Sequence, residues 1–100
     1  MTEQNIIEVA EIAVTDAAGF EAAVAKARPY FLAAEGCYSL TLHRVIETPD
    51  VYRLLVTWRT VEDHMVRFRQ SEAFQRWREL ASPFFAKPPL VTHSSQIDLE

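Results

Sequence analysis

The stretch Cys37-Tyr38-Ser39-Leu40-Thr41-Leu42-His43-Arg44-Val45-Ile46, then Glu47-Thr48-Pro49-Asp50, then Val51-Tyr52-Arg53-Leu54-Leu55-Val56-Thr57-Trp58 decides the fold. Two apolar-rich runs flank four residues whose Pro and Asp suit a tight turn, so the segment reads as a β-hairpin. Upstream, Thr15 and Asp16 offer N-cap oxygens, and Phe20, Ala23, Val24, Ala27, Phe31 and Ala34 follow at spacings of three and four. That predicts a helix from Ala17 to Ala34, with a kink or break near Ala25 to Arg28 because Pro29 cannot donate, and a stop at Gly36. Before it, Asn5 to Val14 is β-branched and carries Glu8 and Glu11, which reads as a strand with one wetter face. Downstream, Thr60 with Asp63 makes a capping pattern for a short helix with Val61, His64, Met65 and Phe68 on one face. Ser71 caps a second helix carrying Phe74, Trp77, Leu80 or Ala81, and Phe84, distorted at its end by Pro83. Lys87-Pro88-Pro89 ends the helical region and Leu90 to Leu99 returns to an extended pattern. The order βαββαβ makes an α+β, ferredoxin-like arrangement the simplest solution: a four-stranded antiparallel sheet with helices on one face.

The 100 residues, 49% hydrophobic and 24% charged, make a single domain spanning 1–100. So short a chain buries a modest fraction of its surface, and the lone Cys37 cannot form an intramolecular disulfide, so association with a second copy is a natural source of stability. Met1-Thr2-Glu3-Gln4 is followed by neither a signal-type nor a membrane-length apolar run, which points to the cytoplasm and away from a membrane. Ten Lys and Arg against fourteen Asp and Glu leave a net charge of -4, the wrong sign for nonspecific nucleic-acid binding. No His and Cys set has metal-ligand spacing and two glycines make no phosphate loop, so neither metal nor nucleotide cofactor is expected.

The run Tyr52 to His64, YRLLVTWRTVEDH, continuing into Phe68 to Trp77, FRQSEAFQRW, resembles antibiotic biosynthesis monooxygenase domains: a strand ending in an aliphatic pair and Trp, a short helix, a Ser-x-x-Phe opening and a long helix. Gly36 and the Pro-rich approach to the last strand also fit. The resemblance implies a dimeric α+β barrel, in which the sheets of two subunits pack together and each subunit keeps a pocket between sheet and helices. It further implies a cofactor-independent monooxygenase acting with molecular oxygen on a small aromatic, quinol-like or polyketide-like substrate. An isomerase or cyclase, or a noncatalytic dimeric binder of a hydrophobic small molecule, uses the same scaffold. The haem-degrading branch needs a haem-ligating His in the long helix, and Phe74 to Leu80 contains none.

Oxygenation without a cofactor requires a base to turn the substrate into an electron-rich anion, an apolar chamber, and a polar group for the developing charge. Histidine is the natural base near neutral pH. His64, three residues after Val61 and four before Phe68, falls on the inward helix face and is the first candidate; a structural imidazole bonded to a carbonyl or to Asp63 is its alternative. His93, sharing strand parity with Val91, Ser95 and Ile97, is the second, and faces either the pocket or a dimer interface. His43 alternates with Thr41 and Val45 and suits a cross-strand polar contact. Trp58, Phe68, Trp77, Phe84 and Tyr38 are candidate pocket walls for a flat ring, against ordinary core packing. Arg69 is a candidate for pinning an anionic substrate oxygen. Cys37 reads as a small buried hydrophobe.

Overall fold

The computed structural model describes residues 5–100, so the reading of Met1 to Gln4 lies outside the described residues. Strand β1 spans Ile6–Ala13, helix α1 Ala17–Leu32, β2 Cys37–Arg44, β3 Val51–Trp58, α2 Glu72–Ala81 and β4 Leu90–Ser95. A π-helical turn, Asp63–Phe68, precedes α2 and a 3-10 turn, Ser82–Phe84, follows it. The strands pair antiparallel in the order β2-β3-β1-β4, which is the ferredoxin-like topology. The last strand is shorter than expected, ending at Ser95, and β2 stops at Arg44. Among the described residues no helix is long and apolar enough to cross a membrane.

Alternation along the strands sorts the side chains. Ala10 and Ile12 on β1 and Tyr52, Leu54, Val56 and Trp58 on β3 are buried beneath the helices with Phe20 and Phe31 of α1. Leu40 and Leu42 pair with Val56 and Leu54 and share this face, whereas Leu55, paired with Val9, lies on the other. Glu8 and Glu11 sit three apart and so point to opposite faces. Glu11 bonds Arg53 on the open face, while Glu8 is among the core residues, only 5% exposed. The strand does have one wetter face, that of Ile7, Val9, Glu11 and Ala13, but Glu8 lies on the buried one.

Helix α1 runs unbroken through Pro29. Ala25 and Pro29 are both exposed, so the carbonyl that Pro29 leaves without a donor is on the solvent side, and Ala33 N–H still reaches Pro29 O at 3.0 Å. Gly36, at φ +84°, turns the chain into β2, and a Cβ there would lie 2.4 Å from Asp63 Oδ2. Asp16 and Ser71 cap α1 and α2 as their sequence positions suggest.

Trp77, 8% exposed, meets Phe31 edge-on at 5.3 Å and locks α2 to α1. Trp77→Ala is expected to cost about 3–5 kcal/mol, read as a lower urea midpoint. An unchanged midpoint would show that this contact does not hold the helices together.

Candidate functional site

Register places Glu8 directly between Val56 on β3 and His93 on β4, all on the helix-facing side. The Trp58 indole N–H, two residues along β3, donates to Glu8 Oε1 at 2.9 Å. His64 comes down onto the same oxygen from the π-helical turn, with Nε2 3.2 Å away. Its other nitrogen, Nδ1, lies 2.9 Å from His93 Nε2. Three titratable side chains from β1, the turn and β4 thus form one row, hydrogen-bonded between the two imidazoles and in ion-pair contact between His64 and Glu8.

The turn has a local cause. Thr60 Oγ1 accepts from Asp63 N–H to open it, and Arg59 grips the Asp63 carboxylate through two bonds at 2.9 and 3.0 Å. The backbone then widens, with Arg69 N–H reaching His64 O five residues back. Of the expected face His64 and Phe68 are buried, whereas Val61 and Met65 are at the surface and Asp63 is buried in their place. His64 stacks on Trp58, centroids 5.3 Å apart at 22°, and its partners are Glu8 and His93 in place of a backbone carbonyl or Asp63.

Burial governs the electrostatics. Desolvation pushes the Glu8 carboxyl up to about 7, against the Trp58 hydrogen bond and the charge of Arg69. Desolvation likewise lowers His64 to about 4, helped by His93 and Arg69, and lowers His93, helped by Arg69. Near neutral pH both imidazoles are neutral and Glu8 is the group that titrates. Among the described residues no His, Cys, Asp or Glu cluster is arranged to hold a metal ion.

Glu8 also lines a cavity of about 390 Å³ between the sheet and α2, within the size range of small-molecule sites. Oε1 accepts from Trp58 and touches His64, whereas Oε2 has no partner among the described residues and is not sealed from solvent, so it is the oxygen available to the cavity. Trp77, Phe74 and Phe85 supply aromatic wall, and Arg69, Arg78 and Lys87 bring three cations to it. A larger depression of about 540 Å³, beside Ile7 and the segment Gln96 to Leu99, has no imidazole or cation in its wall. A third, of about 340 Å³, lies between the end of α1 and the start of α2.

The expected site residues divide accordingly. Arg69 and Trp77 line the Glu8 cavity. His64 and His93 stand behind its wall, bonded to each other. Trp58 is fully buried, so it supports Glu8 and is not a wall; Phe68, 2% exposed, packs on Trp58 and Phe31 and borders the third cavity. Phe84 instead rests on Gly19 of α1, whose missing Cβ makes the room, and its neighbour Phe85 takes the wall position. Tyr38, at the irregular start of β2, is 56% exposed and lines none of these cavities. His43 bonds Thr41 within its own strand at 3.0 Å, not across strands. Glu8 was missed because its charge suggested solvent; its parity with Ala10, Ile12 and Val14 was the signal that it faces inward.

Residues 6–80 match the family model described as antibiotic biosynthesis monooxygenase. The chain belongs to this family. A candidate antibiotic biosynthesis monooxygenase from Bordetella bronchiseptica, known from its crystal structure, is similar over 94% of this chain and 98% of its own, at 50% identity and a TM-score of 0.92. The Bacillus subtilis (strain 168) protein YczJ, itself uncharacterised, is 35% identical over 78 residues, 78% of this chain and 82% of its own. A family candidate from Nitrosomonas europaea shares the fold at a TM-score of 0.81 and 12% identity, covering 97% and 94% of the two chains.

The row makes a stability prediction. A carboxyl raised from its ordinary 4.5 to about 7 stabilises the fold below pH 4.5 and loses that contribution as pH rises to 7. His64, lowered from 6.5 to about 4, acts in the opposite sense, adding stability as pH rises through that window. Replacing Glu8→Gln removes only the first effect. Wild-type stability relative to the variant should therefore fall by up to about 3 kcal/mol between pH 4 and pH 8 in urea titrations. A difference that stays constant with pH would show that Glu8 is not held protonated by burial.

Proposed function

We propose that this family member is a cofactor-independent oxygenase in which Glu8 is the base. The observation that carries this reading is a buried carboxyl, poised near neutrality, with one oxygen free at the wall of a cavity that Phe74, Trp77 and Phe85 also line. Ionised Glu8 takes an acidic C–H or O–H proton from a flat quinol-like or polyketide-like substrate onto Oε2. The resulting anion is held by the charge of Arg69 and by stacking on Trp77, Phe74 or Phe85. It passes an electron to molecular oxygen, and the two radicals join in a carbon–oxygen bond. The peroxide takes the proton back from Glu8, which then removes the remaining hydrogen of the same carbon; that C–H pair forms the carbonyl as the O–O bond breaks, and the departing hydroxide takes the proton from Glu8. One oxygen atom stays in the product and the other leaves as water. His64 and His93 orient Glu8 and do not meet the substrate in this scheme.

The same reading includes a homodimer. Ile7, Val9, Val51 and Leu55 lie half-buried on the sheet face opposite the helices, where the segment Gln96 to Leu99 borders Ile7. A second copy of the sheet is the occupant that suits a twisted apolar face, with an interface above about 1,000 Å².

Oxygen uptake with a panel of quinols and anthrones tests the chemistry. Glu8→Gln is expected to lower turnover by roughly 10²–10⁴-fold with little change in substrate binding. Turnover without oxygen uptake would mean an isomerase or cyclase, and tight binding without turnover a carrier; unimpaired turnover in a folded Glu8→Gln protein would eliminate Glu8 as the base. For the assembly, light scattering at micromolar concentration should give twice the 11.5 kDa chain mass. A monomeric mass would defeat the dimer.

A further inference from the structure

Glu8 sits at the cavity wall, yet its other contacts lead away from it, through His64 to the half-buried His93. Two proton arrangements satisfy all the facing atoms. In one, Glu8 is a carboxylate, His64 Nε2–H donates to its Oε1, and His93 Nε2–H donates to His64 Nδ1. In the other, Glu8 carries the proton on Oε1 and donates to His64 Nε2, His64 Nδ1–H donates to His93 Nε2, and His93 Nδ1 bears a hydrogen. The two differ by one proton and by the tautomer of both rings.

We infer that Glu8, His64 and His93 form a proton wire by which Glu8 exchanges its proton with solvent at His93 while the cavity is occupied. Outward transfer breaks the Glu8 O–H bond and forms His64 Nε2–H. It breaks His64 Nδ1–H and forms His93 Nε2–H, and the proton on His93 Nδ1 leaves to water. Three N–H or O–H bonds break, two N–H bonds form in the row, and one proton departs; no electron moves and neither ring becomes a lasting cation. His64 and His93 are hydrogen-bonded at 2.9 Å, and His64 Nε2 stands 3.2 Å from Glu8 Oε1, a contact that a small turn of the ring aligns for the proton to cross.

The surroundings favour neutral rings throughout. Arg69 bears on all three groups from the end of the π-helical turn, and Arg78 and Lys87 stand across the cavity. From β2, the Cys37 thiol is pushed up to about 11 by burial and by Glu8, and so stays protonated. From β3, Trp58 offers only an N–H, and α1 reaches the row through Phe31 packed on Phe68. In the oxygenase reading, on which the purpose of the wire rests, this exchange ionises Glu8 beneath a bound substrate that blocks Oε2 from bulk water.

The test is a ¹⁵N titration of the histidine rings in the whole protein, with Glu8 followed by its ¹³C carboxyl signal. His64 and His93 are expected to exchange protonated and bare nitrogens together, at the Glu8 midpoint near 7, from Nδ1–H below it to Nε2–H above it. Glu8→Gln should abolish the exchange. Tautomers that stay fixed while Glu8 titrates, rings that become cations over the same range, or an exchange that survives in Glu8→Gln would each overturn the wire. No substrate is needed, so the result separates from the oxygenase reading: fixed tautomers with a Glu8-dependent turnover sink the wire alone, and a coupled exchange in a protein without oxygen uptake sinks the oxygenase alone.

Discussion

A carboxylate under the helices of a 100-residue domain is the constraint around which the rest of the site is organised. An ionised Glu in that position costs several kcal/mol unless it is paired or protonated. Both remedies are present. Trp58 and His64 place two nitrogens on one oxygen, and burial raises the carboxyl until it shares a proton near neutrality. Trp58 has to be fully buried to do this, and the indole N–H it brings inward would itself be unsatisfied without Glu8. Each of the two makes the other tolerable in the core.

The π-helical turn answers a geometric need created by the sheet. His64 must descend over Trp58 and still reach both Glu8 and His93, which are paired across adjacent strands. An ordinary helical turn would bring forward the Val61, His64, Met65, Phe68 stripe that periodicity suggests. The wider turn rotates Val61 and Met65 outward and seats Asp63 with His64 and Phe68 inside. Asp63 is acceptable there because Arg59 and Thr60 satisfy it, and it closes on Gly36, which has no Cβ to obstruct it.

Much of the fold was legible because it rests on period and caps. The stripe Phe20 to Phe31, the caps Asp16 and Ser71, and the hairpin around Pro49 lead directly to βαββαβ. The histidine pair was legible as two candidates but not as partners, since 29 residues separate them and only strand register joins β1 to β4. Glu8 was hidden by its chemistry: strand alternation put it with Ala10 and Ile12, while its charge argued for water, and parity prevailed. The exchange of Phe84 for Phe85 turns on Pro83, whose 3-10 turn rotates the chain by an amount that helical spacing cannot anticipate.

The protons of the row explain how so polar a cluster persists in the core. Between pH 4.5 and 6.5 an unfolded chain holds one proton on the Glu8–His64 pair, on the imidazole, with the carboxylate ionised. The folded pair also holds one, now on the carboxyl with the imidazole neutral. Folding moves the proton between partners and leaves the count unchanged, so the pair itself adds no net pH dependence across that window. Two buried charges are replaced by two neutral groups, Glu8 bonded to Trp58 and His64 to His93, and the desolvation that would oppose an ion pair is avoided. Above that window the carboxyl must ionise, and the charge of Arg69 at the cavity is what then favours it. The same guanidinium would hold a substrate anion, so proton transfer from substrate to Glu8 exchanges one negative charge for another within its reach.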